Sequence, residues 1–223
     1  MKMILSACLV LFSFAFVPLS LFAQAVEINP YGGFYWGGNN SGVGKFENNQ
    51  LLGVRGGGYI TSNFELGGNY SWSNHFQPGS SNKAASLAGA LGFPQGAVRS
   101  HLWEAEYTYN FAKRSMFGTP AVRPYVVGST GGITTSIKNE DVFVLNVRPV
   151  NTINGVVFVP NDILDDHDTF FTFSYGGGVK GLRVWGPMGF FGDFRGRTIP
   201  NFFGSTTTRP ELSAGLTFSW GER

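Results

Sequence analysis

The sequence predicts an all-β fold, an eight-stranded antiparallel up-and-down transmembrane β-barrel, and three observations lead to it. Segments in which apolar and polar residues alternate recur eight times along the chain. The connections between these segments are alternately short and long. Charged residues make up 13% of the chain, against about 25% in an ordinary soluble domain. A protein solvated by lipid needs few charges, and its backbone groups must all be paired, so its strands must close into a cylinder.

The last predicted strand, 211–220, shows the alternation most clearly. One face is apolar and ends in two aromatic residues: Leu212, Ala214, Leu216, Phe218 and Trp220. The other face is mostly small and polar: Glu211, Ser213, Gly215, Thr217 and Ser219. A period of two places these sets on opposite sides of a strand. The pattern is typical of a strand with lipid on one side and a narrow polar lumen on the other.

Seven further segments are predicted to be strands on the same grounds. They cover 26–36, 51–61, 64–73, 101–111, 122–134, 171–182 and 189–198. In the first of them, Val26 and Ile28 alternate with Glu27 and Asn29. The facing of 122–134 is ambiguous.

The connections between the predicted strands fall into two classes. Short ones are predicted at 62–63, 113–120 and 183–187, and longer ones at 37–50, 74–99, 135–168 and 199–208. Outer-membrane barrels have short periplasmic turns and longer extracellular loops, so both termini are expected on the periplasmic side. Within 135–168, apolar runs flank Asn154-Gly155, the strongest short-range hairpin signal. A small hairpin projecting above the membrane is therefore expected there.

The N-terminus predicts a signal peptide at 1–25, followed by a barrel domain at 26–223. Lys2 precedes an apolar run from Ile4 to Phe22, and Ala23-Gln24-Ala25 supplies small residues for cleavage. A retained transmembrane helix is the alternative, because the run approaches the ~20 residues that span a bilayer. Pro18 and the cleavage pattern argue against it. Cys8 is the only cysteine, so the mature chain has no disulfide, thiolate nucleophile or cysteine metal site.

The five tryptophans are predicted to form two rings at the membrane interfaces. Trp36, Trp72 and Trp103 fall at the outer strand ends, and Trp185 and Trp220 at the periplasmic ends. Aromatic residues prefer both interfaces of a membrane, so two rings are the expected arrangement.

The polar faces of the predicted strands place charged residues of both signs in the lumen. An ion-pair network is predicted from Glu104, Glu106, Lys180, Asp193, Arg195, Arg197 and Glu211. Glu27, Arg55 and Glu65 share this interior, and Arg123 joins them if its strand faces that way. Eight strands leave room for little more than their own side chains, so we interpret the network as a plug. A narrow gated pore through the charged residues is the alternative.

The sequence resembles the small eight-stranded outer-membrane barrels of the OmpA and OmpX type. Three segments resemble the group known as the outer membrane protein beta-barrel domain: 175–180, 192–196 and 211–215. Ser213, Gly215, Phe218 and Trp220 also resemble the C-terminal signal by which such barrels are recognised for assembly. The resemblance implies a bacterial outer-membrane location after signal-peptide-dependent export. It implies partners too: outer-membrane lipids, lipopolysaccharide and, through the C-terminal strand, the barrel assembly machinery.

Function is predicted less sharply than location. A lipid A-modifying enzyme would need a hydroxyl beside a histidine and a carboxylate that orients it. The three histidines, His75, His101 and His167, lie near outer strand ends or loops, and none completes that pattern. We therefore expect no enzyme, cofactor or metal site. The formal charge of +2 is too small to indicate a nucleic acid partner.

The expected role is therefore structural in the envelope, or an interaction made through the surface loops. An extracellular partner would bind loops 74–99 and 135–168. A secreted barrel that carries a ligand, with its apolar face inward, is a further alternative. It predicts a charged exterior, whereas the polar faces here are rich in Ser, Thr, Asn and Gly.

Overall fold

The computed structural model describes residues 25–37, 39–40, 44–45, 48–76, 98–111, 121–137, 144–152, 155–163, 167–202 and 205–221. The predicted signal peptide lies outside these residues except for Ala25. None of the described segments is a helix long and apolar enough to cross a membrane.

Twelve strands make up the described structure. In chain order they are β1 (Val26–Tyr35), β2 (Asn39–Asn40), β3 (Gly44–Lys45), β4 (Asn49–Tyr59), β5 (Phe64–Phe76), β6 (Val98–Asn110), β7 (Ala121–Ile137), β8 (Val144–Thr152), β9 (Gly155–Ile163), β10 (His167–Trp185), β11 (Met188–Phe202) and β12 (Ser205–Trp220). Eight of them form a closed barrel in the order β1-β12-β11-β10-β7-β6-β5-β4. The other four form two separate hairpins, β2-β3 and β8-β9.

Every neighbouring pair in the barrel is antiparallel, including the pair that closes it. There β1 lies between β12 and β4, with Val26 opposite Trp220 on one side and Gly58 on the other. We call this end of the barrel the terminus end. The opposite end, where β1, β5, β7 and β11 finish, is the loop end. The predicted eight-stranded up-and-down topology is confirmed.

The predicted asymmetry between the two ends is confirmed for three of the four longer connections. At the loop end, 36–48, 77–97 and 138–166 separate barrel strands, whereas 60–63 and 186–187 are the turns at the terminus end. Gly186 has φ +63°, a backbone conformation that glycine adopts most readily. The predicted turn at 113–120 lies outside the described residues, and the one at 183–187 is shorter than expected because β10 runs on to Trp185.

The prediction of a longer connection at 199–208 is wrong. The strands β11 and β12 continue through this region, with Ile199 opposite Thr207 and Phe202 opposite Ser205. A register shift lies between Ile199 and Phe202. The three consecutive threonines 206–208 favour extended structure because their branched side chains fit a pleated surface, and this preference extends the hairpin.

The predicted hairpin in the third long connection is confirmed. Strands β8 and β9 pair antiparallel from Val144 opposite Ile163 to Thr152 opposite Gly155. They form a sheet of two strands that is separate from the barrel sheet.

The alternation of residues between the interior and the exterior is as predicted. On β12, Leu212 and Leu216 are exposed, while Glu211 and Thr217 are fully buried. The ambiguous strand is now resolved, because β7 buries Arg123, Tyr125 and Val127 and exposes its alternate residues. The interior also contains a small apolar cluster of Tyr31, Tyr35, Leu51 and Phe191.

Candidate functional site

The described part of the lumen contains equal numbers of acidic and basic side chains. Six acids and six bases are buried among the described residues: Glu27, Glu65, Glu104, Glu106, Asp193 and Glu211, with Arg55, Arg123, Lys180, Arg195, Arg197 and Arg209. A buried ion is very unfavourable unless it is paired and hydrogen-bonded. A balanced set therefore allows a charged interior to remain stable without bulk water.

Two arginines of β11 hold the centre of the network. Arg195 donates to Asp193 Oδ2 from Nη2 at 2.8 Å and from Nε at 3.1 Å, and it also pairs with Glu106. Arg197 donates to Glu211 Oε2 from Nη2 at 2.7 Å and from Nε at 3.2 Å. These guanidinium groups reach carboxylates on two other strands, because Arg197 also pairs with Glu104 on β6.

Arg55 joins the opposite wall to the same network. It projects from β4 and donates from Nη1 to Asp193 Oδ2 at 2.6 Å and from Nη2 to Ser213 Oγ at 2.8 Å. Its guanidinium carbon also lies 4.1 Å from the centre of the Tyr31 ring, where a cation is attracted by the aromatic face. Four of the barrel strands, β1, β4, β11 and β12, are thus connected through a single side chain.

Neutral polar groups add hydrogen bonds to two of these carboxylates, those of Asp193 and Glu104. The Tyr125 hydroxyl donates to Asp193 Oδ2 at 2.8 Å. The Asn69 amide donates to Glu104 Oε2 at 3.2 Å and accepts from the Tyr31 hydroxyl at 2.8 Å. Because these residues lie on different strands, the network fixes the spacing of the strands as well as the charges.

A second cluster lies toward the terminus end and is centred on Lys180. Its Nζ donates to Glu27 Oε2 at 3.0 Å and to Glu65 Oε2 at 2.6 Å. The Tyr59 hydroxyl donates to Glu27 Oε1 at 2.8 Å. Lys180 is a member of the network predicted from the sequence, and its two described ion pairs are with Glu27 and Glu65.

A small cavity separates the two clusters. Its volume is about 20 Å³, and its lining includes Lys180 and Glu65 on one side and Arg55, Glu106 and Arg195 on the other. A cavity of this size has room for about one water molecule. Side chains of both clusters therefore border this very small space.

Several residues of this site escaped the sequence analysis. Arg209 is buried on β12, with its guanidinium carbon 5.0 Å from the centre of the Phe202 ring. Its parity with Glu211 and Ser213 would have revealed it if β12 had been extended toward residue 205. The inward tyrosines Tyr59 and Tyr125 were also missed, because the apolar ring and polar hydroxyl of a tyrosine are compatible with either face of a strand.

The exterior of the barrel is the opposite of the interior in polarity. Large apolar side chains are exposed on every one of the eight barrel strands, among them Ile28, Leu52, Tyr70, Trp103, Val126, Phe171, Phe194 and Leu216. Of the predicted aromatic rings, Trp36 follows β1 at the loop end, with Trp72 and Trp103 on the loop-end halves of β5 and β6. Trp185 and Trp220 end strands at the terminus end. Four of the five are exposed, and Trp72 is half-buried.

One row of the outer wall near the loop end is polar. Trp72, His101, Thr134 and Thr169 are successive cross-strand partners on β5, β6, β7 and β10. The Tyr70 hydroxyl lies 2.7 Å from His101 Nδ1, so the described partner of this histidine is a phenol and not a carboxylate. The side chains of His75 and His167 lie outside the described structure. Within the described residues, no three side chains of the metal-binding types are grouped.

The fold is similar to that of outer-membrane β-barrels of known structure. Neisserial surface protein A is 13% identical with a TM-score of 0.54, and the match covers 87% of this chain and 97% of that one. The N-terminal β-barrel domain of OprF from Pseudomonas aeruginosa is 15% identical with a TM-score of 0.49, over 88% of this chain and 98% of that one. No protein-family model and no curated protein matches the chain. The likeness to Neisserial surface protein A confirms the predicted fold, a small eight-stranded barrel of the outer-membrane type.

Proposed function

We propose that this protein is a non-enzymatic, integral outer-membrane barrel with a closed lumen, which supports the envelope or binds partners through its surface loops. Residues 1–25 act as the export signal in this proposal. The mature barrel is then assembled through its C-terminal strand, and its outer wall contacts outer-membrane lipids and lipopolysaccharide.

The single observation that carries the proposal is the inverted polarity of the barrel. Leu52, Phe171 and Phe194 are more than half exposed, whereas Arg195 and Glu211 are almost completely buried. In water this arrangement would expose a large apolar surface to solvent, and it would also incur the cost of removing the buried ions from water. In a lipid bilayer the same arrangement is stable, because the outer wall meets hydrocarbon and the polar side faces the lumen.

The central location test is gel mobility. The protein is isolated in an outer-membrane fraction and run in SDS with and without boiling. We expect a shift on boiling, because a closed barrel resists SDS at room temperature and unfolds when heated. A soluble periplasmic protein that shows no shift would refute the membrane location and favour the ligand-carrying alternative.

The two ion clusters support the closed lumen of this proposal. Residues from seven strands line the cavity between the clusters, and this cavity has room for about one water molecule. A hydrated ion would have to break several charge-assisted hydrogen bonds to pass. The structure therefore favours a plug over a gated pore.

Conductance in planar bilayers tests the plug. The wild-type barrel should show no steady current, whereas the double variant R195S/E106S should open a conducting path, because it removes a pair on the cavity wall. Phe194→Ala is the matched control, since Phe194 is adjacent to Arg195 but faces outward. A steady, ion-selective current through the wild-type protein would refute the plug and support the pore.

The surface-loop part of the proposal is supported by the hairpin β8-β9. It lies within the connection between β7 and β10 and pairs only with itself in the described structure. A partner bound by loops 74–99 and 135–168 should be lost when this hairpin is removed, while the barrel remains folded. Retention of binding after that deletion would contradict loop display.

A further inference from the structure

On the part of the outer wall that the structure describes, charged side chains are almost absent. Among the outward side chains that the structure describes, Arg99 is the only permanently charged one. It lies on β6 two residues from His101 and is the cross-strand partner of Ser136. No acidic side chain accompanies it on the described outer wall. A cation at this position has therefore no described counterion.

The outer wall around Arg99 changes from apolar to polar in three successive rows. The row farthest from the loop end consists of Tyr70, Trp103, Gly132 and Phe171. The middle row consists of Trp72, His101, Thr134 and Thr169. The row nearest the loop end contains Arg99 and Ser136. Each row crosses neighbouring strands, and the successive rows lie closer and closer to the loop end. The spatial order of aromatic, hydroxyl-rich and basic rows matches the change from acyl chain to headgroup across a membrane interface.

The middle row offers hydrogen-bonding groups that are already oriented. Tyr70 engages His101 Nδ1, and no described residue bonds its Nε2. Thr134 Oγ1 lies 3.0 Å from Thr169 Oγ1. Because one threonine hydroxyl donates to the other, the second hydroxyl still has a proton for an external acceptor.

Below these rows the wall has a shallow groove suited to an acyl chain. Its floor on β7 is formed by Gly128 and Thr130, and a side chain added at Gly128 would meet no atom closer than Ser174 O at 3.9 Å. Its sides are aromatic: Tyr107 on β6 and Tyr175 on β10 flank Gly128 directly and are both exposed. Between this groove and the polar rows the Trp103 indole covers Gly132, whose Cβ would lie 2.5 Å from Trp103 Cζ2.

We propose that this part of the wall is a binding site for one phosphorylated glycolipid of the outer leaflet. Arg99 pairs with a phosphate, while His101, Thr134 and Thr169 bind sugar hydroxyls and phosphate oxygens, and an acyl chain lies along Gly128 and Thr130. The inference rests on the proposed outer-membrane location, which makes the loop end the extracellular side.

The hydroxyl-rich row favours a glycolipid over a phospholipid. A phospholipid phosphate would be satisfied by Arg99 alone. The adjoining imidazole and two threonines provide additional donors and acceptors, and a phosphorylated sugar offers several matching groups within the width of two strands, about 10 Å. Lipopolysaccharide has this chemistry in its lipid A portion.

Binding to the folded full-length barrel in detergent micelles tests the site. The probes are bisphosphorylated lipid A and, separately, phosphatidylglycerol, each titrated and followed by native mass spectrometry. We expect lipid A to bind about tenfold more tightly than phosphatidylglycerol, and the variant R99Q/T134V to lose about tenfold in lipid A affinity, as for loss of a charge-assisted hydrogen bond. Arg99→Lys should retain most of the affinity, because it keeps the charge.

Thr208→Val is the matched control, because Thr208 is an exposed threonine on β12, directly across the barrel from β6. It should bind lipid A as the wild type does. Equal affinity for the two lipids, or equal losses in R99Q/T134V and Thr208→Val, would overturn the proposal. Each variant is first checked for the mobility shift on boiling. A barrel that shifts and inserts but does not bind lipid A refutes this inference alone, whereas a protein that does not insert refutes the proposed function.

Discussion

Removal of the cation at Lys180 should destabilise the barrel more than any other single change to the second charge cluster. Lys180→Met keeps the length of the side chain but removes both ion pairs, at 3.0 Å to Glu27 and 2.6 Å to Glu65. Two buried carboxylates then remain without their shared cation. Breaking a buried ion pair by removing one partner typically costs about 3–5 kcal/mol, and we expect a loss of unfolding free energy in this range.

The structure also predicts which second change rescues the variant. Glu27 keeps a donor after the substitution, because the Tyr59 hydroxyl bonds its Oε1 at 2.8 Å. Glu65 has no other hydrogen-bond donor among the described residues. Neutralising Glu65 should therefore restore more stability than neutralising Glu27. The double variant K180M/E65Q should recover part of the lost stability, since it replaces the Lys180–Glu65 pair by neutral groups and leaves Glu27 with its Tyr59 donor.

The assay is equilibrium unfolding by guanidinium chloride in lipid vesicles, followed by tryptophan fluorescence and by gel mobility without boiling. Three proteins are compared with the wild type: K180M, K180M/E65Q and K180M/E27Q. An unchanged midpoint for K180M would show that the lumen is solvated and that this cluster does not stabilise the barrel. Better rescue by E27Q than by E65Q would refute the hydrogen-bond assignment.

Three further predictions use the same unfolding assay. Leu216→Arg, which places a charge on the apolar outer wall, should lower stability by about 2–4 kcal/mol near the membrane midplane; tolerance equal to that of Leu216→Met would refute the assigned facing. Gly53→Val should cost about 1–3 kcal/mol through overpacking, because its Cβ would lie 2.5 Å from Tyr31 Cζ. Gly32→Ala, whose Cβ meets only Leu52 Cδ2 at 3.9 Å, should be nearly neutral, and equal effects would contradict the packing. Replacing 138–166 by a short Gly/Ser linker should leave the unfolding midpoint unchanged, because β8 and β9 form a separate sheet; a large decrease would show that they support the barrel.

The sequence by itself determined the strands and the two faces of the barrel. The period of two is a local property, so Glu211 and Leu212 were assigned to opposite sides without knowledge of any neighbour. Closure followed from the same pattern, because eight strands that expose an apolar face to lipid cannot leave an unpaired edge. The spacing of the alternating segments then predicted three of the four longer connections.

Only the tertiary structure decided which charges meet. Lys180 lies on β10, and its partners Glu27 and Glu65 lie on β1 and β5, on other parts of the wall. Their meeting depends on the stagger of the strands and the length of each side chain across the lumen, and neither is encoded in a local pattern. The extension of β11 and β12 through 199–208 was hidden for a related reason. Their pairing stabilises a segment whose own composition is compatible with either a loop or a strand.

The polar rows of the outer wall illustrate the same division. The sequence placed His101 near an outer strand end, but it gave no sign that Thr134 and Thr169 lie in the same row, because these residues belong to strands separated by a long connection. Register between strands is set by the pairing of whole hairpins. Strand identity and facing are therefore local and readable in the sequence, whereas the sites formed across strands exist only once the barrel has closed.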